Sequence, residues 1–211
     1  MTTAREHWEA RYGDAAIWSG RPNATLVELA GGLPPGRALD LGCGEGGDAL
    51  WLASLGWSVT GLDLSETALA RARAAAEERG LAVDLRQADL AEEWPVEGSF
   101  ELVTASFLHS MVEFPRVEVL SRSAALVAAG GRLVIVSHAA PPPWSGHRGH
   151  LGEELPTAEQ ELDELALDPE EWTPVVVGTR ERLATGPDGH EAPLVDAVLL
   201  LQRRPPSPPA E

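Results

Sequence analysis

Arg37-Ala-Leu-Asp-Leu-Gly-Cys-Gly-Glu-Gly-Gly47 sets the class of fold this chain adopts. It begins as a short apolar run, Ala38, Leu39 and Leu41, broken by Asp40, and then collapses into Gly42, Gly44, Gly46 and Gly47. Asp48-Ala-Leu-Trp-Leu-Ala-Ser-Leu55 follows with its apolar residues at helical spacing. The order is strand, tight turn, helix. Glycine permits positive φ and lets a ligand approach the backbone, and the helix start behind it offers free N–H groups. Such a turn belongs at the ligand-binding edge of a doubly wound α/β sheet.

The 211 residues suit one domain with a sizeable core, expected over 1–203 with a disordered tail at 204–211. Apolar content of 44% with 23% charged residues is ordinary for a soluble globular chain. A net charge of −17 leaves no basic stripe to meet a phosphate backbone, which argues against nucleic acid as partner. Its plainer meaning is solubility. Cys43, the single cysteine, excludes disulfide frameworks and CxxC metal sites. The N-terminus has no apolar signal core, and no apolar run reaches bilayer-spanning length. These features predict a cytoplasmic protein without a membrane partner, as monomer or homodimer.

An aromatic arm occupies residues 1–30, with Trp8 and Tyr12 four apart, then Trp18, Arg21 and Asn23. Either it staples itself to the core, or Trp18 and Arg21 close a cleft. After the glycine turn, Trp57–Asp63 reads as a second strand with an acidic end, followed by a helix over Ala68–Gly80. Ala82–Leu90 reads as a third strand ending at Asp89, and Ser99–His109 as a central fourth. Ser106–Ser110 is expected at the rim of the cleft. Val117–Ala128 reads as a helix, Gly130-Gly131 as a turn, and Arg132–His138 as the fifth strand. The alternation then breaks into a Pro/Gly-rich loop over 139–155 carrying Trp144, His147 and His150, of the kind usually functional or disordered. A short acidic helix over Pro156–Leu167 precedes two strands, Trp172–Arg180 and Leu194–Gln202, joined at Gly186–Gly189. The expectation is α/β: a doubly wound, mostly parallel seven-stranded sheet with a C-terminal antiparallel hairpin.

The spacing of the glycine turn admits two readings. Gly42, Gly44 and Gly47 satisfy the dinucleotide pattern G-x-G-x-x-G. Asp40-x-Gly42-x-Gly44-x-Gly46 satisfies the acidic G-x-G-x-G pattern of class I S-adenosylmethionine (SAM) methyltransferases. Charge favours the second, because Asp40 and Glu45 would repel a pyrophosphate, whereas SAM carries a sulfonium and an ammonium. Together with Asp63, Ala88-Asp89 and Ala129-Gly-Gly131 in order, the chain from Trp8 to about Gln202 resembles the small, single-domain members of that Rossmann-like class. Trp8-x-x-x-Tyr12 with Trp18 and Pro22-Asn23 resembles the arm of the thiopurine and tellurite-resistance methyltransferases, and this resemblance implies contact with SAM and cover for the acceptor.

The cofactor set expected is Tyr12, Trp18, Arg21, Asp40, Gly42, Cys43, Gly44, Asp63, Leu64, Asp89, Leu90 and Ser106. Within it, Asp63 accepts the ribose hydroxyls, Asp89 the adenine amino group, and Leu90 packs on the ring. Cys43 is read as a small residue packed beside the cofactor. No Asp-Pro-Pro-Tyr-like motif follows the fourth strand, where Ser106-Phe-Leu-His109 stands, so a nucleic-acid amine is disfavoured. No metal is expected; the spacing of His138, His147 and His150 is poor for one. His109 is the candidate base, with the alternative that it is a neutral histidine hydrogen-bonded beside the cleft. Trp18, Phe107, Leu108, His109 and Trp144 form an acceptor side nearly free of fixed charge, with Arg21 its one cation. The function expected is methyl transfer from SAM to a small-molecule thiol or hydroxyl. The rivals are a NAD(P)-dependent oxidoreductase and a SAM-binding protein without catalysis.

Overall fold

The structure is a computed structural model that describes residues 3–110, 112–141, 143, 155–186 and 189–205. Seven strands form one sheet: β1 (Arg37–Leu41), β2 (Ser58–Asp63), β3 (Asp84–Gln87), β4 (Phe100–Ser106), β5 (Val127–His138), β6 (Trp172–Thr185) and β7 (Glu191–Arg203). Six helices accompany them: α1 (Ala4–Tyr12), α2 (Ala24–Ala30), α3 (Gly47–Ser54), α4 (Glu66–Arg79), α5 (Arg116–Ala125) and α6 (Ala158–Leu165). Side-chain caps start most of these helices. Thr3 with Glu6 and Thr157 with Gln160 make capping boxes, Asn23 caps α2, and Ser65 caps α4.

The strand order is β3-β2-β1-β4-β5-β7-β6, with β1 to β5 parallel and β7 antiparallel to both its neighbours. The chain winds outward from β1 through β3 and then returns to place β4 on the other side of β1. Ligand crevices form at such a reversal, beyond the carboxyl ends of the strands. Successive residues of a strand face opposite layers. Leu133 and Ile135 of β5 therefore join Val119, Leu120 and Leu165 on the α5–α6 face. Val134 and Val136 join Leu26, Leu52 and Leu69 on the α2–α3–α4 face.

Three boundaries differ from the sequence expectation. β3 stops at Gln87, so Asp89 and Leu90 lie in the turn beyond it. β5 begins at Val127, and Gly130-Gly131 bends the strand instead of ending a helix, with Gly130 at φ 79° and a register shift opposite Phe100–Leu102. β6 and β7 run past the end of β5, whose last pairing is His138 with Asp196, from Glu181↔Val195 to Thr185↔Glu191. That overhang is roughly 17 Å long at ~3.4 Å per residue, and it rises beside the ligand edge. Trp144, His147, His150 and most of the expected loop lie outside the described residues, as does the tail from 206. Among the described residues no helix is long and apolar enough to cross a membrane.

Candidate functional site

The glycine turn between β1 and α3 is built from left-handed residues. Gly42 has φ 66° and Gly44 φ 52°, a region that carries a penalty for any residue with a Cβ. Space forbids one as well. A Cβ on Gly42 would lie 2.7 Å from Leu108 Cδ1, and one on Gly44 2.9 Å from the Tyr12 hydroxyl. Between them Cys43 donates its N–H to Leu62, and its buried thiol packs against Gly61 and is pushed up by burial. It is a packed small residue.

Three carboxylates surround this turn. Asp40, 2% exposed, accepts the Thr104 hydroxyl at 2.8 Å through Oδ1, while its buried Oδ2 has no partner. Asp48 accepts the Asn23 N–H at 2.6 Å and faces the Ser106 hydroxyl. Asp63 accepts N–H groups from Gly44 and Ser65, each at 2.8 Å. Burial raises the pKa of all three, that of Asp63 to about 6, and Asp48 and Asp63 raise Asp40 further. Among the described residues no arginine pairs with any of them. An orphaned carboxylate oxygen in such a cluster suits a ligand that brings a cation and hydrogen-bond donors, and it is hostile to a phosphate.

The arm lies over the turn. Glu9 on α1 caps α4, accepting the Glu66 N–H at 2.7 Å and the Ser65 hydroxyl at 3.1 Å. Arg71 on α4 donates to the carbonyls of Tyr12 and Gly13 and to Glu45 at 2.8 Å. Glu45 also accepts the N–H groups of Ile17 and Trp18. Glu45 is therefore spent on holding the arm, and the charge argument against a pyrophosphate passes from Asp40 and Glu45 to Asp40, Asp48 and Asp63. Tyr12 is buried beside Gly44, its hydroxyl accepting the Trp18 indole N–H at 3.4 Å, while Trp18 stays 53% exposed. Arg21 contributes backbone, its carbonyl packing on Gly47 while its side chain is exposed.

Beyond β2 and β3, the carbonyl of half-buried Leu64 accepts from the Gln87 amide. Asp89 accepts the Ala91 N–H at 3.0 Å through Oδ1. Leu90 is only 7% exposed and packs in the core with Leu62, Ala88 and Trp94. Its side chain is thus anchored in the core at the end of the turn.

The far side of the edge, at the ends of β4, β5 and β7, is more charged than the sequence implied. Arg116 at the start of α5 bonds Glu161 of α6 at 2.8 Å, the Ser137 hydroxyl at 2.7 Å and the Leu108 carbonyl at 3.0 Å. Arg182 of β6 bonds Asp196 of β7 at 2.6 Å and lies over the Phe107 ring. Phe107, at φ 53°, stacks on His138 with centroids 4.3 Å apart. His109 is placed at this rim, parallel to His138 at 6.1 Å. Burial, then Arg116 and His138, lower its pKa to about 3, so its imidazole is neutral, with Nε2 unpartnered. An acceptor side with Arg21 as its sole cation is thus corrected to one holding two arginines, each bound by a buried carboxylate. The missed signals were Asp196 standing alone in the apolar run Leu194–Leu201, and Glu161 on the buried face of an amphipathic helix.

Comparison with known proteins agrees with this geometry. A family described as a methyltransferase domain matches residues 38–131. The chain is 44% identical over 134 residues to a phosphatidylethanolamine N-methyltransferase of Cereibacter sphaeroides, covering 62% of this chain and 63% of that protein. It is 35% identical over 156 residues to a 2-heptyl-1-hydroxyquinolin-4(1H)-one methyltransferase of Mycobacteroides abscessus, covering 70% and 65%. The chain thus spans less than two thirds of the length of these relatives. A solved structure from work on conversion of a disulfide bond into a thioacetal group during echinomycin biosynthesis superposes with a TM-score of 0.74 at 28% identity, over 98% of this chain and 94% of that one.

Proposed function

We propose that this chain, which carries the domain of the class I SAM-dependent methyltransferases, transfers a methyl group from SAM to the thiol or hydroxyl of a small molecule. The observation that carries the reading is the cluster of buried Asp40 and Asp63 with half-buried Asp48, around a left-handed glycine turn and without a paired cation among the described residues. Asp40 would hold the cationic end of SAM, Asp63 the ribose hydroxyls and Asp89 the adenine amino group. The backbone of Gly42, Cys43 and Gly44, with Leu64, Leu90 and Ser106, would line the cleft, and Tyr12, Trp18 and Arg21 would close it. When bound, SAM supplies a methyl carbon already activated by its sulfonium. The protein has to bind both partners, align them and exclude water.

His109 is proposed as a neutral imidazole lining the acceptor side of the cleft. Its lowered pKa suits that role better than holding a proton. A small acceptor in the cytoplasm fits a net charge of −17, which disfavours anionic macromolecules. A sulfur acceptor is supported by the disulfide and thioacetal chemistry of the 28% identical structure, and an oxygen acceptor by the hydroxyquinolone relative. The test is a panel of thiols, phenols and amines with S-adenosylhomocysteine release as readout, beside an oligonucleotide and a histone-like peptide. Turnover of thiols or phenols is expected. Turnover of either macromolecule with none of the small molecules would overturn the acceptor assignment.

A further inference from the structure

His138 closes β5 opposite Asp196 of β7, and the cross-strand register fixes that pairing. The His138 Nδ1 and Asp196 Oδ1 are both buried without a hydrogen-bond partner and face one another at 3.9 Å. The other Asp196 oxygen is held by Arg182 at 2.6 Å, in a carboxylate with no exposure. Arg182 in turn lies over Phe107, whose ring stacks on His138. Phe107 does so at φ 53°, a strained left-handed backbone of the kind concentrated at functional sites. Register and ring stack together fix the plane of one imidazole and set its Nδ1 toward Asp196, at 3.9 Å just beyond hydrogen-bond reach. That imidazole keeps 27% of its side chain exposed at the ligand edge.

We propose that His138, with Asp196 holding its Nδ1–H, takes the proton from the acceptor's hydroxyl or thiol, and that this side of the cleft admits the acceptor as a neutral hydrogen-bond donor and not as an anion. The proposal rests on the methyl-transfer reading. Both nearby guanidinium groups are bound, Arg182 by Asp196 and Arg116 by Glu161. With Asp196 Oδ1 turned to His138, the unpartnered buried oxygen left here is Glu161 Oε2, a carboxylate acceptor. Among the described residues neither guanidinium on this side is left over for a substrate carboxylate or phosphate, and the spare oxygen asks for a donor.

The groups facing His138 are Asp196 from β7, Arg182 from β6 and His109 after β4, with Arg116 and Glu161 behind the last. Burial, with Arg182, holds its pKa below the usual histidine value, against the opposing pull of Asp196. His109 has no such carboxylate, since Arg116 and His138 both discourage a proton there. In the step, the acceptor's O–H or S–H bond breaks and its proton goes to His138 Nε2. The electron pair left behind forms the bond to the methyl carbon. The pair of the carbon–sulfonium bond stays on the departing sulfur, as a neutral thioether. His138 then returns the proton to water.

The deciding measurement is a long-range proton–nitrogen correlation spectrum of the full-length, nitrogen-15-labelled protein at pH 8, which needs neither cofactor nor acceptor. His138 is expected as the Nδ1–H tautomer. In Asp196→Asn the amide oxygen is claimed by Arg182, the NH2 turns to Nδ1, and the tautomer switches to Nε2–H, as a carboxylate-to-amide change beside a catalytic histidine does. An Nε2–H tautomer of His138 in the wild type overturns the proposal, whether or not any acceptor is turned over. With an active phenol from the panel, His138→Gln is expected to lower kcat by about 10²–10⁴-fold, with KM little changed and the acid limb of the pH profile lost. His109→Gln is expected to keep that limb. Equal kcat for wild type and His138→Gln overturns the dyad, whereas failure of every acceptor in the panel instead breaks the methyl-transfer reading.

Discussion

Asp40 and Asp63 are buried and Asp48 half-buried around the glycine turn, with no arginine paired to them among the described residues. Across β4 and β5, Asp196 and Glu161 are buried too, yet each is gripped by an arginine. The first group is destabilised by its own charge and is relieved by a ligand that brings one. The second is already neutralised and offers only spare acceptor positions. One edge of one sheet thus holds a cation-seeking half and a donor-seeking half, set by which strand ends carry an arginine neighbour.

Loss of a carboxylate charge should therefore have opposite signs in the two halves. Asp196→Ala leaves Arg182 uncompensated and should cost about 3 kcal/mol, the low end for a broken buried pair because Arg182 keeps 21% exposure. Asp40→Asn removes a charge that burial disfavours while leaving an oxygen for Thr104. It should leave the ligand-free protein at least as stable as wild type at pH 7. Urea unfolding measures both, and a loss of several kcal/mol in Asp40→Asn would erase the contrast.

Proton linkage gives the next contrast. Asp63 has a folded pKa of about 6, above the unfolded value, so the folded protein binds the extra proton between about pH 4 and 6. Its contribution is present at low pH and lost as pH rises through 6, by roughly 2–3 kcal/mol. His109 runs the other way. Its folded pKa of about 3 lies below the unfolded value, so its contribution is lost as pH falls below about 6.5. Stability profiles from pH 3 to 8 should show Asp63→Asn removing the decline toward high pH and His109→Gln removing one toward low pH. A profile unchanged by either substitution contradicts the assigned environments.

A smaller effect concerns the arm that covers only the cation-seeking half. Arg71→Met removes the bonds to Tyr12, Gly13 and Glu45, and should cost about 1–2 kcal/mol because Arg71 is only partly exposed. Trypsin should then cut faster at Arg11, and S-adenosylhomocysteine should slow it. Unchanged cleavage would mean the arm is held by packing alone.

How much of this was legible in the sequence follows from the range of each signal. The turn of Gly42, Gly44 and Gly46 and the acidic ends of β1 and β2 are local patterns, and they mark the proposed cofactor half with no tertiary information. The hairpin was legible from its turn and apolar runs, though not the overhang that brings Arg182 over Phe107. Glu45 was visible as a charge, but Arg71, which spends it, is 26 residues away. His109 could be placed at the rim, while its lowered pKa depends on Arg116 and His138, set beside it only by the fold. The acceptor half is made of such distant pairs, and so the sequence showed it as merely aromatic.

The account turns on Asp40, Asp48 and Asp63 as a cation-seeking cofactor site. Calorimetric titration of S-adenosylhomocysteine and of NADH into wild type and Asp40→Asn at pH 7.5 tests it most directly. The account predicts that S-adenosylhomocysteine binds the wild type, that Asp40→Asn weakens it at least tenfold, about 1.4 kcal/mol, and that NADH binds neither. Binding of NADH, or S-adenosylhomocysteine affinity unchanged by Asp40→Asn, would contradict it.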